Sequence, residues 1–330
     1  MTIRIAIIGA GLAGLTLAHR LRGHAQLKVK VFEKAGIVGG RLSSIRSDGF
    51  AFDHGAQYFT IRGGAFREFL EPALQQGIVV PWDPHIVTLE KGQAPIVEPR
   101  DETIYVAAPG MESLCAHLAE GFSVSRNAEI MSCTRKNDAW NLITKTGDDL
   151  GGFDWVVSAT LPQQSRSWLP EAFVEVAKFG HVRLRGCFSL MLGFEESVPV
   201  DWQGAFVRNS PIGWMAVNSH KRDREGGPTL LVQCAGVWAD EHMEDASEAV
   251  EAMLCDELQS LTGISSACAI HRALYRWRYA GTAEPLGEDS LLDTASQLAA
   301  CGDWCIKGRV EAAFKSADAL AARLLTALPQ

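Results

Sequence analysis

An excess of positive charge is missing from this chain. Its 31 Lys and Arg stand against 39 Asp and Glu, for a formal net charge of −8 over 330 residues. That balance sets aside nucleic acid as the main partner, because phosphate backbones are bound through Lys and Arg; a local basic patch stays compatible with it. Missing as well is any apolar run of the roughly 18 or more residues that a membrane span needs. The stretch Ile3–Ala18 has the hydropathy of a signal peptide core. Glycines interrupt it, however, and no small-residue cleavage site with a clean mature start follows. No membrane partner and a cytoplasmic location are therefore expected. The chain also lacks a CxxC pair. Its cysteines are Cys115, Cys133, Cys187, Cys234, Cys255, Cys268, Cys301 and Cys305. Cys301 and Cys305 have no second Cys or His pair at metal spacing, so no metal site is expected. The eight lie mostly inside apolar segments of a large chain, which points to free buried thiols rather than a disulfide framework. There is no internal repeat and no low-complexity tract. What remains is an ordinary globular composition, 47% hydrophobic and 21% charged, at a length that suits two domains.

The most informative positive feature is Ile7-Ile8-Gly9-Ala10-Gly11-Leu12-Ala13-Gly14. Thr2–Ile8 reads as a buried strand, and Leu12–Arg22 has helical spacing at Leu12, Leu15, Ala18, His19 and Leu21. A strand, a glycine turn and a helix N-terminus form a site for a dinucleotide pyrophosphate. Gly9 permits the tight turn, Gly11 lets the backbone approach phosphate, and Gly14 lets the helix pack on the sheet. The first helical turn aims unpaired N–H groups and a positive dipole end at the anion. Lys28–Phe32 reads as a second strand with Glu33 at its end, where a carboxylate accepts hydrogen bonds from ribose hydroxyls. Its charge disfavours a 2′-phosphate there.

Further along, residues 65–76 read as a helix, and 111–120 as another opened by Pro109-Gly110. Short strands are expected at Phe122–Val124, Glu129–Arg135, Trp140–Thr144 and Trp155–Ser158, with turns at Lys136–Asp138 and Thr146–Gly152. Residues 180–238 are strand-rich, interrupted by the charged, glycine-ended Ser219–Gly227, which reads as a surface turn. A helix over 244–262 precedes an extended segment, 268–279, that ends in His271-Arg272-Ala273-Leu274-Tyr275-Arg276-Trp277-Arg278-Tyr279. A last helix begins near Gly308 and runs to about Ala327.

One Rossmann unit serves NAD or FAD equally. Two further segments bear on the choice. Gly39-Gly40-Arg41 follows the second strand and supplies a guanidinium, whose planar fork suits phosphate oxygens. Far downstream, Gly302-Asp303-Trp304 precedes Gly308-Arg309-Val310-Glu311-Ala312-Ala313. Asp303 can accept from a ribityl hydroxyl, and the helix N-terminus can face a flavin pyrimidine, where reduction places negative charge. Arg41 and Asp303 are thereby expected at the two ends of a long cofactor.

The combination of GxGxxG, Glu33, Gly39-Gly40-Arg41, Asp53-His54-Gly55-Ala56-Gln57-Tyr58-Phe59, the Trp277-Arg278-Tyr279-Ala280 string and Cys301-Gly302-Asp303-Trp304 with Gly308-Arg309-Val310-Glu311 resembles the flavin-containing amine oxidase superfamily, and within it bacterial renalase-like proteins. The resemblance covers both ends of the chain; residues 160–265 match only loosely. It implies an α/β fold (α+β overall): an FAD-binding Rossmann-type domain with a parallel sheet over 1–60, 106–165 and 290–330, and a substrate domain with a mixed, largely antiparallel sheet over 61–105 and 166–289. It implies noncovalent FAD, with cofactor contacts at Gly9, Gly11, Leu12, Ala13, Gly14, Glu33, Lys34, Gly40, Arg41, Gly55, Ala56, Gln57, Gly302, Asp303, Arg309, Val310 and Ala313. The activity implied is removal of a hydride from 2- or 6-dihydro isomers of NAD(P), with O2 as electron acceptor and hydrogen peroxide as product.

The substrate is weighed on two features. Tyr58, Trp277, Tyr279 and Trp304 can frame an amine or stack a nicotinamide, and with Gln57 they form the candidate catalytic set. Arg272, Arg276 and Arg278 suit an anionic dinucleotide better than a cationic amine, although alternating charges on a solvent-facing strand explain them equally. His54 has no catalytic role in this reading. A dihydronicotinamide needs no general base, whereas an amine must lose its ammonium proton. An amine oxidase and a flavin-bearing binding protein without turnover remain the alternatives.

Overall fold

The computed structural model describes residues 2–328. The apolar run Ile3–Ile8 is a strand buried from Ile5 onward, and it lies at the centre of a six-stranded sheet. In space the order is Val124–Ser125, Leu27–Phe32, Ile3–Ile8, Trp155–Ser158, Leu298–Ala300 and Leu291–Asp293. The first five are parallel and the last returns antiparallel. Near-continuous hydrophobic strands are what a sheet covered on both faces requires. One face is covered by the helix Leu12–Leu21, with Leu15 and Leu17 wholly buried, and by the last helix, Val310–Ala327, through Phe314, Ala317 and Leu320. The other carries a core with Phe32, Trp140, Val156, Phe173, Phe179 and Trp304.

A second, seven-stranded sheet runs His271–Glu284, Arg183–Gly193, Thr229–Cys234, Ile212–Val217, Gly204–Val207, Ile86–Leu89 and Ile96–Val97. Its pairs are antiparallel except Gly204–Val207 against Ile86–Leu89. Phe188, Leu190 and Leu192 alternate onto one face and pack with Val250, Leu254 and Leu258 of the helix Ser247–Thr262. The opposite face meets the segment after Phe50–Phe52: Ser189 Oγ donates to the His54 carbonyl at 2.8 Å. Three small sheets accompany them among the described residues: Phe59–Thr60 with Ile104–Ala107 and Val79–Trp82, the meander Ile130–Lys136, Ala139–Thr144, Asp149–Phe153, and the pair Ile45–Ser47 with Phe50–Phe52. The fold is therefore mixed α/β, with a Rossmann-type sheet and a separate mixed sheet. No helix among the described residues is long and apolar enough to cross a membrane.

Two expectations need correction. The turn expected over Thr146–Gly152 is mostly the strand Asp149–Phe153, because the tight turn is confined to the residues around Gly147. The larger error is Ser219–Gly227. Its Lys221 and Arg224 are buried, at 2% and 8% exposure. They turn inward because a buried carboxylate, Asp53, waits for them far away in sequence.

Candidate functional site

A single cleft of about 1640 Å³ runs between the two large sheets, well above the ~300–1,000 Å³ of an ordinary small-molecule pocket. At one end the chain turns at Gly9 (φ +108°). A Cβ at Gly14 would run into the Gly9 carbonyl, so Gly14 sets the close approach of helix to turn. At Gly11 a Cβ would meet nothing nearer than the Gly39 carbonyl at 3.8 Å, so the space above Gly11 belongs to the cleft. The helix Leu12–Leu21 has no side-chain cap, and Leu12 and Ala13 line the cleft. Its first N–H groups are thus available to an anion. Glu33 accepts from the Ala10 and Ala35 amides, both at 2.9 Å. Those two bonds fix its carboxylate and leave acceptor capacity on each oxygen. Lys34 and Gly40 line the same end, where Gly39 N–H donates to the Ala10 carbonyl at 2.9 Å.

The structure changes the placement of Arg41 and Asp303. They do not stand at opposite ends; they form a bidentate ion pair, with Arg41 Nη1 at 3.0 Å from Oδ2 and a shorter second bond from Nη2 to Oδ1. Arg41 also donates to the Ala280 carbonyl at 3.2 Å. The bridge between Gly11 and Gly39 holds the 39–41 loop against the glycine turn, and Gly302 and Asp303 reach Arg41 from the end of the strand Leu298–Ala300. Arg309, Val310 and Ala313 line the cleft nearby, and the helix they begin also lacks a side-chain cap.

The Gly55-Ala56-Gln57 turn crosses the cleft beside this pair. Ala56 N–H donates to the Arg41 carbonyl at 2.9 Å, and a Cβ at Gly55 would strike that same carbonyl. Gln57 lines the cleft, but its amide is committed inward: Nε2 donates to the Asp53 and Gly55 carbonyls, and Oε1 accepts from Lys221 Nζ at 3.2 Å. It is therefore not free to face a substrate, contrary to expectation. Behind it Asp53 takes Lys221 Nζ at 2.9 Å, Arg224 Nη2 at 2.6 Å and Ser44 Oγ at 2.6 Å. Burial works to raise the Asp53 carboxyl, but Lys221 and Arg224 outweigh it and hold it below its ordinary value. Burial pushes Lys221 down to about 8 against the pull of Asp53.

The far end is aromatic. Tyr58 packs on Trp214 at 5.5 Å, and Trp214 on Phe206 at 4.7 Å. His54 clusters with Tyr275, 4.6 Å away and edge-on, and Trp277, stacked at 5.2 Å. Trp277 Nε1 donates to the His54 carbonyl at 2.8 Å. Burial lowers the His54 imidazole to about 4, so it is neutral at physiological pH. Tyr279 lines the cleft apart from this group, because residues 278–280 bulge opposite Gly186. Trp304 adjoins the cleft but gives it almost no surface. Its indole is 1% exposed, donates to the Thr160 carbonyl and packs edge-on to Phe179 in the core. The arginines mostly have partners: Arg272 pairs with Glu251, Arg278 with Glu244, and Arg276 donates to the Met243 and Asp245 carbonyls. Sequence reasoning overlooked Tyr275, Trp214, Lys221 and Arg224. Tyr275 alone carried a signal, since it shares a strand face with Trp277.

A family described as NAD(P)-binding Rossmann-like domain matches residues 7–72. The mitochondrial protoporphyrinogen oxidase of Nicotiana tabacum is 47% identical over 57 residues, which is 17% of this chain and 11% of that protein. A 4,4'-diapophytoene desaturase (4,4'-diaponeurosporene-forming) of Staphylococcus aureus is 37% identical over 81 residues, 21% of this chain and 16% of that protein. The similarity to these relatives thus spans only a small part of their length. Likeness in three dimensions extends over the whole chain. A protein of Exiguobacterium sp. 255-15 assigned as a protoporphyrinogen oxidase superposes with a TM-score of 0.78 at 13% identity, covering 98% of this chain and 99% of its own. Wild-type putrescine oxidase bound to putrescine gives 0.74 at 14% identity, covering 99% of both chains. The fold is that of the flavin amine oxidases. In that fold the glycine turn, Glu33, the Arg41–Asp303 pair and the aromatic end share one continuous cleft.

Proposed function

We propose that this chain is an FAD-dependent oxidase that takes a hydride from 2- or 6-dihydro isomers of NAD(P), a renalase-like activity. The overall reaction consumes the dihydronicotinamide, a proton and O2, and yields NAD(P)+ and hydrogen peroxide. FAD, when bound, supplies the hydride acceptor and the reactivity toward O2. The residues present fit that cofactor: open space over Gly11, two helix N-termini without side-chain caps, and a carboxylate at the end of the second strand. Glu33 holds the adenosine ribose, the Leu12–Leu21 helix receives the pyrophosphate, and Asp303 with the start of the last helix holds the ribityl and pyrimidine side. The Arg41 guanidinium fixes the Asp303 carboxylate. Trp277 and Tyr58 hold a planar substrate ring and exclude water from it.

The observation that carries the substrate class is where carboxylates line the cleft. Glu33, Glu129, Asp303 and Glu311 belong to segments on the cofactor side, interspersed there with Lys34, Arg41, Arg62, Lys307, Arg309 and Lys315, whereas Arg185, Arg276 and Arg278 rim the aromatic end with no carboxylate in its lining. Arg276 donates to carbonyl and hydroxyl partners and forms no direct ion pair, while the Glu244 carboxylate, paired with Arg278, lies close enough to feel its charge. That end suits an anionic dinucleotide and offers no carboxylate to an ammonium group. Anaerobic mixing with 2- and 6-dihydro-NAD(P) should bleach the flavin absorbance rapidly, while putrescine and other amines leave it unchanged. Bleaching by amines alone would establish the amine oxidase reading, which the contact of Tyr275 with Trp277 at 4.8 Å favours as an aromatic frame. No bleaching by any isomer overturns the proposal.

A further inference from the structure

Five residues of the seven-stranded sheet fall in one row. Strand register sets Tyr275 beside Ser189, Ser189 beside Gln233, Gln233 beside Trp214, and Trp214 beside Phe206. Residues in register share a face of the sheet, and the Ser189 hydroxyl, bonded to the His54 carbonyl, marks this face as the one toward the cleft. Tyr275, Gln233, Trp214 and Phe206 line the cleft, whereas Ser189 is wholly buried. The row thus sets one carboxamide between aromatic side chains. The two ends of that carboxamide are not interchangeable. Gln233 Nε2 donates to the Gly55 carbonyl at 2.8 Å, and to the His54 carbonyl and Ser189 Oγ at 3.3 Å each. A backbone carbonyl only accepts, so the NH2 group must face these two carbonyls and the network fixes the orientation. Oε1 is left without a hydrogen-bond partner among the described residues, and it is not enclosed. Because Gln233 stands on an interior strand, that oxygen is reached from the cleft. Gln57 offers no such atom, since both ends of its amide are engaged.

We infer that Gln233 Oε1 accepts an N–H from the primary carboxamide of the substrate ring, and that Gln233 makes the chain selective for a carboxamide over a carboxylate at that position. This selectivity rests on the dihydronicotinamide reading above and adds to it the group by which the ring is recognised. The aromatic side chains of the row suit a flat ring, and Oε1 between them requires a donor on its edge. A carboxamide NH2 supplies that donor. A carboxylate brings only lone pairs, so it would set two acceptors against each other and leave Oε1 unpaired. A site built to hydrogen-bond one substituent discriminates strongly against the analogue that leaves its polar atom without a partner.

The test mixes the flavin-loaded full chain anaerobically with 2- or 6-dihydro-NAD, and separately with the same isomers of the dinucleotide that carries nicotinic acid in place of nicotinamide. The second-order rate constant for flavin reduction should favour the carboxamide about tenfold or more. Gln233→Leu and Gln233→Met should lower that preference about tenfold, a comparison that cancels any difference in intrinsic reactivity between the two rings. Both variants should fold, because the His54 carbonyl keeps Ser189 Oγ and Trp277 Nε1 as donors and the Gly55 carbonyl keeps Gln57 Nε2 at 3.2 Å. A purely structural role for Gln233 would slow both substrates alike and leave the preference unchanged. Equal rates with the unaltered chain, or a preference that persists in both variants, overturns the assignment of Gln233 and leaves the oxidase reading standing. Reduction by none of the four dinucleotides overturns the oxidase reading, and the selectivity with it.

Discussion

Lys221 is fully enclosed beside one carboxylate and one other cation, and replacing it with Met isolates what that arrangement costs. Asp53, Lys221 and Arg224 together carry one more positive charge than negative, all within a buried cluster. The Lys221 ammonium loses its proton near pH 8 when folded, against an ordinary value of 10.5. Below about pH 8 both folded and unfolded chains hold this proton, and the full penalty of burying it is present. As pH rises toward 10.5 the unfolded chain binds more protons than the folded one, so stability must rise with pH across that window. Lys221→Met has no such proton and retains the Asp53–Arg224 pair at 2.6 Å. Between about pH 7.5 and about pH 9.5 the stability of the wild type relative to Lys221→Met should therefore rise by about 2 kcal/mol. At the lower pH the variant loses the bonds to Asp53 and Gln57 and the contact with the Trp82 ring, an opposing loss of about 2–4 kcal/mol. Urea unfolding of both chains at the two pH values, followed by tryptophan fluorescence, measures the difference. A difference that stays flat, or falls as pH rises, refutes the placement of a strained ammonium in this cluster.

Asp53→Asn should act in the opposite sense, leaving two buried cations without their counter-charge and destabilising the fold by about 3–5 kcal/mol in the same unfolding assay. Gly11→Val should fold with near-native circular dichroism yet purify without bound flavin, because its side chain enters open cleft rather than protein. Gly14→Val, whose Cβ would overlap the Gly9 carbonyl, should lose the folded state itself; equal behaviour of the two variants counts against a division of labour between these glycines. Glu33→Gln should weaken flavin retention at least tenfold by equilibrium dialysis, a loss of about 1.4 kcal/mol, and unchanged retention would move the ribose elsewhere. Trp277→Ala removes the ring stacked on His54 and the donor to its carbonyl. It should raise KM for the oxidised substrate in steady-state assays, and an unaltered KM would place the substrate ring away from this wall.

The parts of the site legible in the sequence are those whose physics is local. Gly9, Gly11 and Gly14 announce themselves because a tight turn, an approach to phosphate and a helix contact each forbid a Cβ within one short segment. Glu33 follows from the end of an alternating strand, and the last helix from its 3.6-residue spacing. What stayed hidden depends on partners distant along the chain. Lys221 reaches Asp53 across 168 positions and Arg41 reaches Asp303 across 262. A charged stretch next to glycine reads as solvated unless its counter-ion is known. Trp304 looked like a pocket wall because it adjoins Asp303, yet its backbone begins a helical turn that carries the indole into the core. Strict alternation would put Tyr279 on the face of Trp277, two positions before it; three residues opposite Gly186 break the period, and a bulge of that kind is set by strand pairing rather than by composition. These failures share one cause. Each concerns a residue whose orientation is decided where two separately encoded segments meet, and the cleft lies at that meeting. The glycine turn, complete within a few consecutive positions, marks one end of the cleft, while the aromatic end is assembled from His54, Trp214, Tyr275 and Trp277 on three different segments.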